Sequence, residues 1–86
     1  MTRYLVTGGC GFIGSNFVRH LIESDPSVSI VNFDALTYAG NLANLTDLEG
    51  HSRYQFVRGD VADRAAVRNV VERGVCGIIH FAAESH

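Results

Sequence analysis

Lysine is absent from the 86 residues; all seven basic residues are arginine, at positions 3, 19, 53, 58, 64, 68 and 73. This stretch therefore cannot supply a lysine Schiff base, a lysine-tuned catalytic tyrosine or a P-loop lysine. A basic excess is missing too. The formal net charge is −2, which argues against nucleic acid or an anionic membrane as a partner. Cysteine is scarce: Cys10 and Cys76 form no CxxC pair and no metal-ligand spacing, so neither a disulfide framework nor a metal site is expected. No apolar run approaches the roughly 18 residues needed to span a bilayer. The short run Tyr4-Leu5-Val6 after Arg3 is broken by Gly8, Gly9 and Gly11, which does not suit a signal peptide. A cytoplasmic protein is expected. What remains is 47% hydrophobic and 19% charged, the composition of one small globular domain.

Periodicity gives the order strand, helix, strand, loop, strand, helix, strand. Tyr4 to Val6 reads as a buried strand. Ile13, Phe17, Val18, Leu21 and Ile22 form the apolar stripe of a helix of about three turns, stopped by Asp25 and Pro26. Val28 to Phe33 is a second, β-branched strand. Residues Ala35 to Ser52 read as a loop, with one helical turn at Asn41 to Leu45. Tyr54 to Val57 is the third strand. Ala66, Val67, Val70 and Val71 mark a second helix, with Asp63 as its N-cap and Gly74 as its stop, and Ile78 to Phe81 is the fourth strand. Strands alternating with helices imply a parallel sheet with right-handed crossovers. The fold class expected is α/β, the first half of a Rossmann-type doubly wound sheet with strand order 3-2-1-4. Ligands in such sheets bind beyond the carboxyl ends of the strands, here Thr7, Phe33-Asp34, Arg58-Gly59-Asp60 and Phe81-Ala82.

Gly8, Gly11 and Gly14 have G-x-x-G-x-x-G spacing between the first strand and the first helix. The first allows a tight turn, the second lets a pyrophosphate approach the backbone, and the third lets the helix pack close to the sheet. The helix N-terminus then offers its amides to the phosphates. A P-loop fails because Ser15 stands where lysine must be. Cys10 reads as a small filler rather than a redox switch. Asp34 closes the second strand, 20 residues after Gly14. A carboxylate there accepts from both ribose hydroxyls and repels a 2′-phosphate, which favours NAD over NADP. Asp60 either meets the adenine amino group or caps the following helix. His80, Glu84 and His86 read as satisfied or solvated rather than metal-binding, and Asn44-Leu45-Thr46 as a chance sequon.

Thr7-Gly8-Gly9-Cys10-Gly11-Phe12-Ile13-Gly14-Ser15 resembles the signature of extended short-chain dehydrogenase/reductases acting on nucleotide sugars. The stretch 34–45, DALTYAGNLANL, and the stretch 80–86, HFAAESH, resemble the corresponding segments of the dTDP-glucose 4,6-dehydratase family more specifically. Ala35 departs from the lysine that often follows the aspartate there. The resemblance implies a lyase of deoxysugar biosynthesis with NAD as cofactor and dTDP-glucose as substrate. Oxidation at C4 is followed by loss of water across C5–C6 and return of hydride to C6. It implies a cofactor lining of Phe12, Ile13, Asp34, Ala35, Leu36, Thr37, Asp60, Val61, Phe81, Ala82, Ala83, Glu84 and Ser85, with Ser85 and Glu84 toward the substrate. The family's Tyr-x-x-x-Lys pair and Asp-Glu acid/base pair lie farther along than residue 86. Residues 1–86 are accordingly expected to be the N-terminal NAD-binding segment, weak in NAD binding and inactive alone, with no catalytic residue of their own. The full-length protein is expected to be a homodimer. A nucleotide-sugar epimerase and a non-catalytic dinucleotide-binding module are the alternatives.

Overall fold

The computed structural model describes residues 2–35 and 42–81. Its elements run β1 (Thr2–Thr7), α1 (Phe12–Ser24), β2 (Val28–Asp34), a 3-10 segment (Leu42–Leu48) kinked at Leu45, β3 (Tyr54–Arg58), α2 (Arg64–Val71) and β4 (Gly77–His80). The four strands are parallel, in the order β3-β2-β1-β4, as the alternation of strands and helices requires. The register pairs Thr7 with Phe33 and with His80, and Asp34 with Arg58, so the four carboxyl ends lie together along one edge.

Alternate residues of each strand face opposite layers. Val6, Val28 and Ile30 meet Val18 and Ile22 of α1 and Leu45 and Leu48 of the 3-10 segment. Leu5, Val31 and Phe33 meet Val70 of α2. β2 is buried along its whole length because both layers cover it. β4 is an edge strand among the described residues, and Ile78 on its α2 side is 57% exposed.

Most boundaries fall within two residues of the sequence reading. Asp25 takes an extended conformation before Pro26 and ends α1. Asp63 caps α2 by accepting from the Ala66 amide, and Gly74 takes φ +90 beyond its end. Of the stretch read as a loop with one helical turn at Asn41 to Leu45, residues 36–41 lie outside the described residues, and Leu42–Leu48 forms 3-10 structure. Leu45 and Leu48, 1% and 4% exposed, dock on the α1 side of the core. Their spacing of three matches the 3-10 period.

Arg53 closes the C-terminal end of α1. Its Nη2 donates to the Ile22 carbonyl (2.9 Å), and its Nη1 donates to the carbonyls of Asp25 (2.9 Å) and Val28 (2.8 Å). A guanidinium there meets orphan carbonyls and the negative end of the helix dipole.

Candidate functional site

The glycine turn is built at the end of β1. Gly8 takes φ +73, which only glycine adopts without strain. Its N–H donates to the Phe33 carbonyl (3.1 Å), and its own carbonyl accepts from the Gly11 amide (3.2 Å). Gly11 is extended and precedes α1 with no side chain capping the helix. No acidic residue stands in the first turn. A helix start of this kind leaves its first-turn amides without intrahelical acceptors and carries a partial positive charge.

Gly14 stands at a close approach of the helix start to the end of β1. A Cβ on Gly14 would fall 2.5 Å from the Gly8 carbonyl oxygen and 3.0 Å from the Gly9 Cα. The helix start therefore packs against the backbone just beyond the end of β1. Gly14 is needed to keep the loop closed.

Asp34 is buried at the end of β2, and its Oδ2 accepts from the Cys10 amide at 2.8 Å. The carboxylate is thereby tied to the glycine turn, and the two features that spacing alone relates are in contact. Ala35 follows, half-buried. At the end of β3, the Gly59 amide donates to the Asp34 carbonyl (3.1 Å). A Cβ on Gly59 would strike the Phe33 ring at 2.4 Å. Asp60 and Val61 come next and are exposed. The Asp60 Oδ1 accepts from the Ala62 amide (2.9 Å) in a local turn, so the helix cap belongs to Asp63 and not to Asp60. Phe12 and Ile13 are 78% and 58% exposed at the start of α1. Phe81 donates its amide to the Thr7 carbonyl (2.7 Å) and sets its ring against Phe17 at 5.5 Å between centroids. Leu36, Thr37, Ala82, Ala83, Glu84 and Ser85 lie outside the described residues, as does His86.

Several participants escape sequence reasoning. Asn32 is fully buried beneath the turn. Its Oδ1 accepts from the Gly9 amide (3.0 Å), and its Nδ2 donates to the Tyr54 hydroxyl (3.1 Å) and the Cys10 Sγ (3.3 Å). Asn44, met in the sequence as part of a sequon, donates from Nδ2 to the Cys10 carbonyl (2.8 Å). Arg19 holds that segment to α1 through Asp47 (2.8 and 3.0 Å) and the Asn44 carbonyl. The one available signal was an asparagine inside an otherwise apolar, β-branched strand. His80 Nδ1 shares a hydrogen bond with Thr7 Oγ1, which accounts for that histidine.

Cys10 is buried with no exposure. Burial first, and then the Asp34 charge, push its thiol up to about 11, against an opposing hydrogen bond from Asn32. A thiol so protonated is a poor nucleophile, in keeping with a filler. Burial also raises the Tyr54 hydroxyl above its ordinary range.

A tight glycine turn, an uncapped helix start and a buried carboxylate at the next strand end together define a class. This is the first, nucleotide-binding half of a Rossmann-type α/β fold. The chain belongs to the GDP-mannose 4,6 dehydratase family, whose model matches residues 5–86. It is 48% identical over 85 residues to the dTDP-glucose 4,6-dehydratase of Escherichia coli, covering 98% of this chain and 23% of that protein. The crystal structure of the Bacillus anthracis dTDP-glucose 4,6-dehydratase in complex with NAD superposes with a TM-score of 0.93 at 47% identity, over 98% of this chain and 27% of that one. The UDP-glucose 4-epimerase of Brucella ovis in complex with NAD is more distant, at 30% identity and a TM-score of 0.80, over 100% of this chain and 24% of that one. The chain thus spans about a quarter of the length of the curated relatives it matches. Among the described residues no helix is long and apolar enough to cross a membrane.

Proposed function

We propose that residues 1–86 are the NAD-binding segment of a dTDP-glucose 4,6-dehydratase. The observation that carries the reading is the Asp34 carboxylate tied at 2.8 Å to the amide of Cys10 inside the glycine turn. That contact ties the carboxylate to the glycine turn, which supports reading the two as ribose acceptor and phosphate cradle. Gly8, Gly11 and Gly14 shape the turn so that the first amides of α1 take the pyrophosphate. Asp34 takes the adenosine ribose, and its charge disfavours a 2′-phosphate. Asp60 and Val61 flank the adenine, Phe12, Ile13 and Ala35 complete the near lining, and Phe81 stands toward the nicotinamide side.

Leu36, Thr37, Ala82, Ala83, Glu84 and Ser85 are assigned to the lining by the family resemblance, with Glu84 and Ser85 facing the sugar nucleotide. NAD, when bound, supplies a hydride acceptor for oxidation of a sugar alcohol. The residues here bind and orient it, and the acid/base work on the sugar falls to residues outside this stretch. The identity of about 48% to dehydratases against 30% to an epimerase supports the dehydratase over the epimerase. A homodimeric, cytoplasmic enzyme of deoxysugar biosynthesis is proposed on the same resemblance.

The test is an NAD titration of the chain beside its Asp34→Ala variant, with NADP in parallel. Affinity for NAD is expected to fall about tenfold or more in the variant, and the preference over NADP to shrink. Equal NAD affinity in the two proteins would remove the assignment.

A further inference from the structure

We propose that Asn32 is a positioning residue of the dinucleotide turn, selecting which backbone amides face the ligand. The inference rests on the NAD-binding reading above.

An amide side chain at a fully buried position of a central strand costs free energy unless its polar atoms are bonded. Every residue of β2 from Val28 to Asp34 is buried, and Asn32 has no exposure. Valine or leucine would serve an apolar layer better. The hydrogen bonds of Asn32 show what the asparagine is for, because two of the three go to the turn. Its Oδ1 takes the Gly9 amide at 3.0 Å, and its Nδ2 reaches the Cys10 sulfur at 3.3 Å. Its third bond, to the Tyr54 hydroxyl at 3.1 Å, fixes the orientation of the side chain from β3. The fit is close: a Cβ on Gly9 would lie 2.3 Å from Oδ1. The turn backbone therefore rests directly on the Asn32 amide.

Two residues along on the same face, Asp34 takes the next amide, that of Cys10. Successive N–H groups of the turn thus point back into β2 and are used by the protein. The Gly11 amide closes on the Gly8 carbonyl. The amides that follow, in the first turn of α1, are the ones left to meet a diphosphate. Without Asn32 the Gly9 amide loses its acceptor and only the Gly11 bond to the Gly8 carbonyl still orients that peptide, so part of the ordering of the turn comes at the expense of binding.

The experiment uses the whole 86-residue chain. NAD affinity, thermal midpoint and amide hydrogen exchange at Gly9 are measured for the unaltered chain, Asn32→Leu, Gly9→Ala and the double variant. Asn32→Leu is expected to bind NAD about tenfold more weakly and to lose protection at the Gly9 amide. Gly9→Ala, which must displace the Asn32 amide, is expected to lose a similar factor, and the double variant little more than either alone. Tyr54→Phe, which keeps the Gly9 bond, is expected to cost two- to threefold. A merely structural asparagine would lower the thermal midpoint and leave the affinity of the folded protein alone. NAD affinity unchanged in folded Asn32→Leu overturns the role. If that variant does not fold, unchanged affinity in Gly9→Ala overturns it instead. Failure of the unaltered chain to bind NAD defeats the underlying reading, and the role of Asn32 falls with it.

Discussion

The two layers of the sheet are held in different ways. On the α1 side, polar side chains reach across long stretches of sequence to fix backbone atoms. Asn32 and Asp34 hold the turn amides, Asn44 holds the Cys10 carbonyl, and Arg53 holds the end of α1. On the α2 side, Asp60 and Asp63 bond amides only two and three residues ahead. Arg3, donating to the Arg73 carbonyl at 2.8 Å, is a long-range tie to the end of α2. Burial follows the same division: β2 is closed off completely, while β4 alternates between half-buried and exposed. Hydrophobic contact with a few mostly local bonds suffices where a helix only has to cover a sheet. Directional bonds accumulate where particular N–H and C=O groups must point in particular directions, as at the glycine turn proposed to hold a diphosphate.

The comparison predicts that damage on the α1 side will be large and will spread to ligand binding. Gly14→Ala is the severest case. Its new Cβ meets backbone at 2.5 and 3.0 Å, and backbone cannot step aside as a flexible side chain can. A cost of about 3 kcal/mol in stability is expected, with NAD affinity reduced more than tenfold. Denaturant unfolding and NAD titration check both. Retention of full affinity would mean that the turn tolerates reshaping.

Cys10 gives a second break, visible only at alkaline pH. Its thiol is raised from 9.0 to about 11 in the fold, so the folded state holds the proton more tightly than the unfolded chain. Stability from this source is complete below about pH 9 and is lost as pH rises toward 11. The loss amounts to ~2–3 kcal/mol by linkage. Chemical denaturation at pH 8 and pH 11 should show a steeper decline for the unaltered chain than for Cys10→Ala. Parallel declines would remove the thiol as the cause.

These contrasts bear on what the sequence discloses. The α2 side was legible almost to the residue. A valine-rich stripe at helical spacing, Asp63 before it and Gly74 after it are local signals, and local forces make that helix. The strand order and the positions of Gly8 and Asp34 were legible for a similar reason, since topology and spacing constrain them tightly. The fastening of the turn was not. Asn32 meets Gly9 across 23 residues and Arg53 meets Ile22 across 31, and no periodicity encodes such pairs. The spacing singles out Gly14 as a close approach without naming the Gly8 and Gly9 backbone atoms that it meets. The 3-10 segment is harder to read because Leu45 and Leu48, set three apart among small and polar residues, make too short a stripe to fix the extent of a helix.

Arg53→Met sharpens the comparison, because methionine keeps an unbranched apolar stem of similar reach while removing the charge. Three carbonyls lose the guanidinium as a donor, that of Asp25 keeping the Val28 amide, and the end of α1 loses its cation. About 2 kcal/mol is expected from bonds to a charged group shared among partly buried acceptors, read as a lower denaturation midpoint. NAD binding should hardly change, since the clamp grips the end of α1 remote from the turn. A fall in affinity as large as that of Gly14→Ala would show that the whole helix, and not its first turn, sets the site.

Asp63→Ala tests the other layer and is the mildest change. The Ala66 amide loses its cap, bonded at 3.2 Å on the surface. Cap losses cost about 1 kcal/mol, and exposure leaves water free to take over the amide. NAD affinity should be unaltered, because α2 touches the sheet through Val70 and its neighbours and sends no side chain to the turn. The measurement is a thermal midpoint beside an NAD titration on the same sample. If the two fell together, the layers would be coupled through β1 and β2, and the division between a covering layer and a fastened one would not hold.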